Sequence, residues 1–414
     1  MNSKLLKLLL LIVATVMIVT ACTSAATPTP AEVVAPAEPT KAAAAPTEAP
    51  AASTEPIYIA AIYPMTGDNA MFGEVETQAH QYVIDKINEA GGVNGRKLEL
   101  VIFDDRGDPQ EAANIAQKVV GDPRFVAGFG HFRSVCTLAA APIYDAAKFL
   151  FLTDSVNEKI SGISPWVFRY SITDREAGRQ LIWAAVKNNP DYKNAAILYS
   201  QTDFGVGQKD VMVAELKALG VNIVAVESYF EGQSRDFTPQ LTKIKGTNPD
   251  IMFVPGYYAE AAAIAQQAHQ LGMTVEIWGP DGLGNVGLIE LGGKDVEGVR
   301  VTSYFSEAAT YPGVAETVAE YEKKWGVKPD GISAITLDAT NLLIQGIKEV
   351  GADREKLREW LSTHKGFVGI AGPIEFDAKN DNLRRIVVIE VKDGKFIESQ
   401  DQAPQEYFDT QFGK

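Results

Sequence analysis

Two strand ends in the middle of the chain carry the residues best suited to hold a small ligand. Ile251 to Val254 and Val275 to Trp278 are short apolar runs. Between them Ala262, Ala265, Ala268 and Leu271 recur at helical spacing. This is a strand–helix–strand crossover, the unit of a parallel sheet. Its strands end in Pro255-Gly256-Tyr257-Tyr258 and Gly279-Pro280-Asp281-Gly282. In open α/β sheets, ligands sit just beyond the carboxyl ends of the strands. One end offers aromatic rings and the other a carboxylate, a pair suited to a small cationic ligand. Pro280-Asp281-Gly282 is also an ordinary turn sequence, and Tyr257 and Tyr258 also suit strand-end packing. On the residues alone both readings stand.

Other chemistries find less support. Gly282, Gly284 and Gly287 match the dinucleotide spacing GxGxxG after a strand, but Pro280 and Asp281 intervene and the unit is a late one. Asp203-Phe204-Gly205 lacks every other kinase element. Asp104-Asp105 closes a strand with no metal-ligand spacing around it. The 4 histidines are scattered and no GxSxG occurs, so zinc and serine-hydrolase chemistry lack a basis. No nucleophile–base pair can be named. No cofactor or metal is expected, and an extracellular hydrolase stays open as the class opposed to a binding protein. The formal charge of −15 argues against nucleic acid and against an electrostatic grip on anionic lipid.

The elements that must position the strand ends begin after a leader. Lys4 and Lys7 precede an apolar stretch, Leu8 to Val19, too short to span a membrane, which reads as a secretory signal over 1–21. Val19-Thr20-Ala21-Cys22 resembles a bacterial lipobox, in which the cysteine is lipidated. Residues 22–56 are then an Ala/Pro/Thr-rich tether without an aromatic residue, expected to be disordered. With Cys22 lipidated, Cys136 has no partner and reads as a small buried residue.

From Ile57 the pattern alternates strand and helix. Strands are expected at 57–62, 98–103, 125–128, 149–152 and 166–170, with helices at 74–90, 109–120 and 134–147. Asp174 reads as the cap of a helix ending at Asn188. The alternation restarts at Ala195 and runs to Ser303. Three helices follow, over 314–325, 332–350 and 354–363, and the tail reads as strands at 374–376, 386–391 and 395–397, the last two a hairpin around Asp393-Gly394. The late helices have few strands of their own, so they must pack on sheets already made. The fold class is α/β, with two doubly wound parallel-sheet lobes and a cleft between them.

The chain resembles the leucine/isoleucine/valine-binding group of type I periplasmic binding proteins, the receptors of ABC importers. The resemblance rests on Pro64-Met65-Thr66-Gly67 with Phe72-Gly73, on Ile87-Asn88 with Gly91-Gly92-Val93-Asn94-Gly95, and on Asp104-Asp105. It continues in Gly130-His131 before Ser134, Ile143-Tyr144, Gly256-Tyr257-Tyr258 and the sharpest match, Gly279 to Asn285. It implies one lobe of 57–172 plus 303–371 and another of 173–302 plus 372–414, hinged at crossovers. It also implies an amino-acid ligand, branched-chain or apolar, with a short amide, urea or aromatic acid as the alternative. By resemblance Ser134 meets the ligand carboxylate, and Ser155 and Asn157 bind carboxylate and amine, Asn157 standing for the family's Thr. Asp281 stands for a Glu that pairs with the ammonium. Phe72, Phe204 (for a Tyr), Tyr257 and Tyr258 wall the side chain. Arg133 replaces a Cys of a disulfide in some relatives, and His131 and Arg133 are read as surface or rim residues. The partners implied are an ABC permease with its ATPase subunits. The receptor would act as an exported monomer held by lipid on the outer side of the cytoplasmic membrane.

Replacing Cys22 with Ser is expected to leave a folded protein that no longer sediments with membranes. Unchanged membrane fractionation of that variant would remove the anchor.

Overall fold

The computed structural model describes residues 55–412. The signal peptide, Cys22 and nearly all of the tether expected from the sequence lie outside the described residues. The first series of elements runs β1 (Ile57–Tyr63), α1 (Ala70–Glu89), β2 (Leu98–Asp104), α2 (Pro109–Gly121), β3 (Phe125–Gly130), α3 (Ser134–Ala146), β4 (Phe151–Thr153) and β5 (Val167–Arg169). These strands form a parallel sheet in the order β2-β1-β3-β4-β5. Along β1, Ile59, Ala61 and Tyr63 face one side and Ala60 and Ile62 the other, and all five are buried. Burial on both faces is what a parallel sheet covered by helices requires.

The second series runs α4 (Asp174–Asn188), β6 (Asn194–Ser200), α5 (Asp203–Ala218), β7 (Asn222–Tyr229), α6 (Thr238–Gly246), β8 (Ile251–Phe253), α7 (Tyr258–Gln270), β9 (Glu276–Gly279), α8 (Val286–Gly292) and β10 (Arg300–Ser303). Then come α9 (Val314–Trp325), α10 (Gly331–Val350), α11 (Arg354–Thr363), β11 (Phe367–Gly369), β12 (Gly372–Ile374), β13 (Val387–Lys392), β14 (Lys395–Glu398) and α12 (Gln405–Phe412). The second sheet has the order β14-β13-β10-β9-β8-β6-β7. β6 to β10 are parallel, and β13 joins β10 antiparallel and turns back into β14 at Asp393-Gly394.

The late helices return to the first sheet. α10 packs along α1, where His80 Nδ1 lies 2.7 Å from Thr340 Oγ1. Arg354 of α11 reaches the Phe125 carbonyl at 2.6 Å. The chain then crosses back toward β13 at Ile370-Ala371, whose N–H groups both donate to the buried Asp338 carboxyl at 2.8 Å. An α/β protein with two doubly wound sheets is thus the observed class.

Several local expectations change. α1 begins at Ala70, not Glu74, so Gly73 lies inside it, where only glycine fits because a Cβ would come within 2.4 Å of the Pro64 carbonyl. Thr173 caps α4 through the Glu176 N–H, and Asp174 is the first helical residue. The strand expected at 374–376 is displaced: β12 occupies Gly372–Ile374 and pairs with β11, and neither β11 nor α12 was anticipated.

Asp338→Ala would strip the acceptor from two buried N–H groups at this crossing. At about 1–3 kcal/mol for each orphaned group, chemical denaturation should show a loss of roughly 2–6 kcal/mol. A loss under about 0.5 kcal/mol, the range of neutral surface changes, would show that Asp338 does not hold the crossing.

Candidate functional site

The carboxyl ends of the two sheets meet around one small cavity. Phe132 and Ser134 follow β3, and Asp154 and Val156 follow β4. From the second sheet come Phe204 at the start of α5, Tyr257 just after β8, and Asp281 and Gly282 just after β9. The enclosed space is ≈ 10 Å³, room for about one water-sized sphere. The arrangement is closed.

Ser134 is the first residue of α3, and Arg133 before it makes no side-chain cap. The helix's first N–H groups are therefore directed at the cavity end of the sheet, the usual setting for an anion. Ser134 Oγ accepts from the Asn157 N–H at 3.3 Å. Rings close the sides: Phe204 lies 5.2 Å from Tyr257, and Phe132 lies 6.0 Å from Tyr257, centroid to centroid.

Asp281 opens a single 3-10 turn after β9 and is 8% exposed. Tyr304, just after β10, donates its hydroxyl to Oδ2 at 2.9 Å. Oδ1 is buried and has no donor among the described residues. Burial pushes this carboxyl up to about 6, against the hydrogen bonds from Tyr304 and the local backbone N–H groups that lower it. Asp154 is 3% exposed and its Oδ1 also lacks a donor. Behind it stands Glu76 of α1, fully buried, with both carboxyl oxygens in the same condition. The Glu76 and Asp154 carboxyls lie within hydrogen-bond reach of each other. Two carboxylates cannot bond, so a shared proton is the arrangement that satisfies the pair. Burial raises both groups; the Asp154 carboxyl raises Glu76 further, whereas the hydrogen bond with Glu76 lowers Asp154 and the Asp281 and Asp105 carboxyls raise it.

Of the residues expected from the sequence, Ser134, Phe204, Tyr257 and Asp281 come together at the cavity. Tyr258 instead packs at 5.5 Å from Phe72 and donates to the Asp68 carbonyl at 3.1 Å. Phe72 stacks behind Phe132 at 4.0 Å. Ser155 turns its hydroxyl to the His131 carbonyl at 2.6 Å and caps no helix. Asn157 reaches across to the Asp203 carbonyl at 2.5 Å and borders a neighbouring groove. Cys136 is buried and free, its thiol raised by desolvation. His131 is not a rim residue: it is buried, 2.6 Å from Asp105 and 2.9 Å from the Tyr144 hydroxyl. Sequence reasoning missed Phe132, Asp154, Val156 and Tyr304. Asp154 was legible as an acid at a strand's carboxyl end. Among the described residues there is no group of 3 or more His, Cys, Asp or Glu suited to a metal ion.

Residues 56–395 match the periplasmic binding protein family. The chain belongs to that family. An amino acid binding protein of Pseudomonas aeruginosa is 30% identical over 331 residues, 78% of this chain and 87% of that one. A leucine-binding protein of Thermotoga maritima superposes with a TM-score of 0.78 at 31% identity, covering 84% of this chain and 99% of that one. A branched-chain amino acid transporter substrate-binding protein of Streptococcus pneumoniae, solved with isoleucine, gives 0.77 at 25%, covering 82% and 97%. The leucine/isoleucine/valine-binding group is the branch these relatives define. This periplasmic binding protein is a solute-binding protein, not an enzyme.

Polar ties bridge the two sheets around the cavity of this periplasmic binding protein. Arg133, after β3, pairs with Glu231, after β7, and also donates to the Gly107 carbonyl at 2.7 Å. Its guanidinium lies 5.9 Å from the Tyr257 ring centre. Asn69 donates to the other Glu231 oxygen at 3.0 Å, and Lys159 meets Asp203 at 2.7 Å. The Arg133–Glu231 pair is mostly buried, 18% and 9% exposed, so it is screened little.

Glu231→Ala leaves Arg133 buried without its carboxylate. The unliganded variant is therefore expected to open, with a larger radius of gyration in solution scattering than wild type. Superimposable curves would show that the pair does not hold the sheets together.

Proposed function

We propose that this protein is the exported, lipid-anchored receptor of an ABC importer, binding an amino acid between two hinged lobes and passing it to a permease with its ATPase subunits. The lobes would be 57–172 with 303–371 and 173–302 with 372–414, and Cys22 the anchor. The working ligand is an amino acid with an aliphatic, branched side chain, as the relatives' names suggest. One observation carries the reading. A carboxyl from the second sheet and a helix N-terminus with its serine from the first face the same closed, ring-walled cavity. That is the complement of a zwitterion, which must have both charges met once water is excluded. The ammonium pairs with Asp281, the carboxylate with Ser134 and backbone N–H groups of α3. Phe132, Val156, Phe204 and Tyr257 surround the side chain, with Phe72 and Tyr258 behind them. Ser155 and Asn157 act through their backbone and through the Asn157 link to Asp203. The lobes close about their crossovers as the ligand seats, and the closed monomer docks the permease.

Asp281→Asn keeps the size and the turn and removes the charge. Breaking one side of a buried pair typically costs about 2–5 kcal/mol, or roughly a thirty- to several-thousand-fold loss of affinity. Calorimetry should show that loss with near-wild-type unliganded melting, and Phe204→Tyr should do far less. Binding within about threefold of wild type, under roughly 0.7 kcal/mol, would reduce Asp281 to a turn residue. The raised carboxyl adds a sign. Below about 6 Asp281 holds a proton in the closed form, which a cation must displace. Affinity should be flat from neutral pH down to that value, then fall by up to about tenfold per unit of pH.

A further inference from the structure

Asp281 is not the sole acid at the cavity. Asp154 borders the same space from the opposite sheet, is almost fully buried, and leaves an oxygen without a donor. No lysine, arginine or histidine lines the cavity. A simple aliphatic zwitterion brings one cationic group and satisfies one of these two carboxyls. We propose that Asp154 is a second ligand-binding carboxyl and that the preferred ligand is a compact diamino acid, whose short methylene side chain ends in an ammonium held by Asp154. The proposal rests on the amino-acid reading above and changes the end of the side chain. With the residues around the narrow cavity parted to admit a ligand, the methylenes would lie along Phe132, Val156 and Phe204, and the terminal nitrogen would take over from the shared proton as the donor to Asp154.

The surroundings of Asp154 make it selective. Glu76 of α1, Tyr63 of β1, Tyr170 after β5, Tyr304 after β10, Asp281 and Asp105 are the titratable groups that face it. All are acids or neutral hydroxyls, so none supplies a countercharge. The proton shared with Glu76 keeps the pair tolerable without a ligand. When an ammonium arrives, Asp154 ionises, the proton that leaves passes to solvent, and the new ion pair replaces it. A leucine side chain at that place would leave the proton where it is.

The test is titration calorimetry of the full chain at pH 7 with leucine, ornithine, 2,4-diaminobutyrate and 1,4-diaminobutane. It is run in two buffers of different ionisation enthalpy, so that proton release is measured. Expected are a diamino acid bound at least tenfold tighter than leucine, and a proton released with the diamino acid but not with leucine. Asp154→Asn keeps the shape and is expected to weaken the diamino acid at least tenfold and abolish the release, a loss well above any change in leucine affinity. Glu76→Gln checks that the released proton belongs to the pair: release should fall while binding persists. The wild-type comparison stands even if a variant does not fold. Leucine bound as tightly as either diamino acid, or Asp154→Asn within threefold of wild type, overturns the proposal and leaves the amino-acid reading standing. The diamine bound in an Asp154-dependent way, with neither leucine nor a diamino acid bound, overturns the amino-acid reading and keeps Asp154 as a ligand.

Discussion

A carboxylate taken out of water with too few donors is the constraint on which this molecule turns. Asp281 is drawn into the closed cavity with the Tyr304 hydroxyl on one oxygen and nothing on the other. Raising a carboxyl from its usual range to about 6 penalises the charged form by roughly 3 kcal/mol. The penalty belongs to the closed arrangement, because an open cleft returns the group to solvent. A cation that pairs with Asp281 removes it. If the lobes open and close as proposed, closure and ligand binding would be linked by roughly a hundredfold through that pair. Asp154 and Glu76 repeat the theme on the first sheet.

Each sheet brings an acid to the cavity, Asp154 from the first and Asp281 from the second. The first also offers donors, since α3 starts at the cavity with its N–H groups free of a side-chain cap. The second offers an acceptor, since β9 ends in a turn rather than a helix N-terminus of useful length. Parallel strands place all these groups at their carboxyl ends, so bringing the two sheets face to face gathers them at one point. The Arg133–Glu231 pair then ties the rim across which water would enter.

Much of this was legible in the residues because parallel sheets announce themselves. Continuous apolar runs separated by helical spacing mark β1, β3, β6 and β8 within a residue or two. The lining of the cavity was legible where a motif carried it, as at Ser134 and Asp281. It was not legible where a side chain's direction decided. Tyr257 and Tyr258 are neighbours of equal chemistry, and the entry into α7 alone sends one to the cavity and the other to Phe72. Ser155 looked available, but the His131 carbonyl lies within its reach. His131 looked like a rim residue, although Asp105 and Tyr144, distant in sequence or a helix away, enclose it. β11 has 3 residues and draws its stability from β12 and Asp338, contacts with no local signature.

The return of α10 to α1 bears on how the chain comes to its fold. His80 and Thr340 touch across 260 positions of sequence. Until residues 331–350 arrive, one side of α1 has no partner, and until β13 arrives, β10 is an edge. The strands of the first sheet are contiguous in the chain, but part of its helical cover arrives only with α10, and the second sheet waits for β13 and β14. Contacts this distant close slowly, because the loop entropy is lost before the packing rewards it. An emerging chain therefore carries bare apolar surface on both unfinished sheets for most of its length. The last segment, from α9 to β14, covers the first sheet and completes the second, so a protein truncated near residue 300 has one sheet short of its helical cover and another with an open edge.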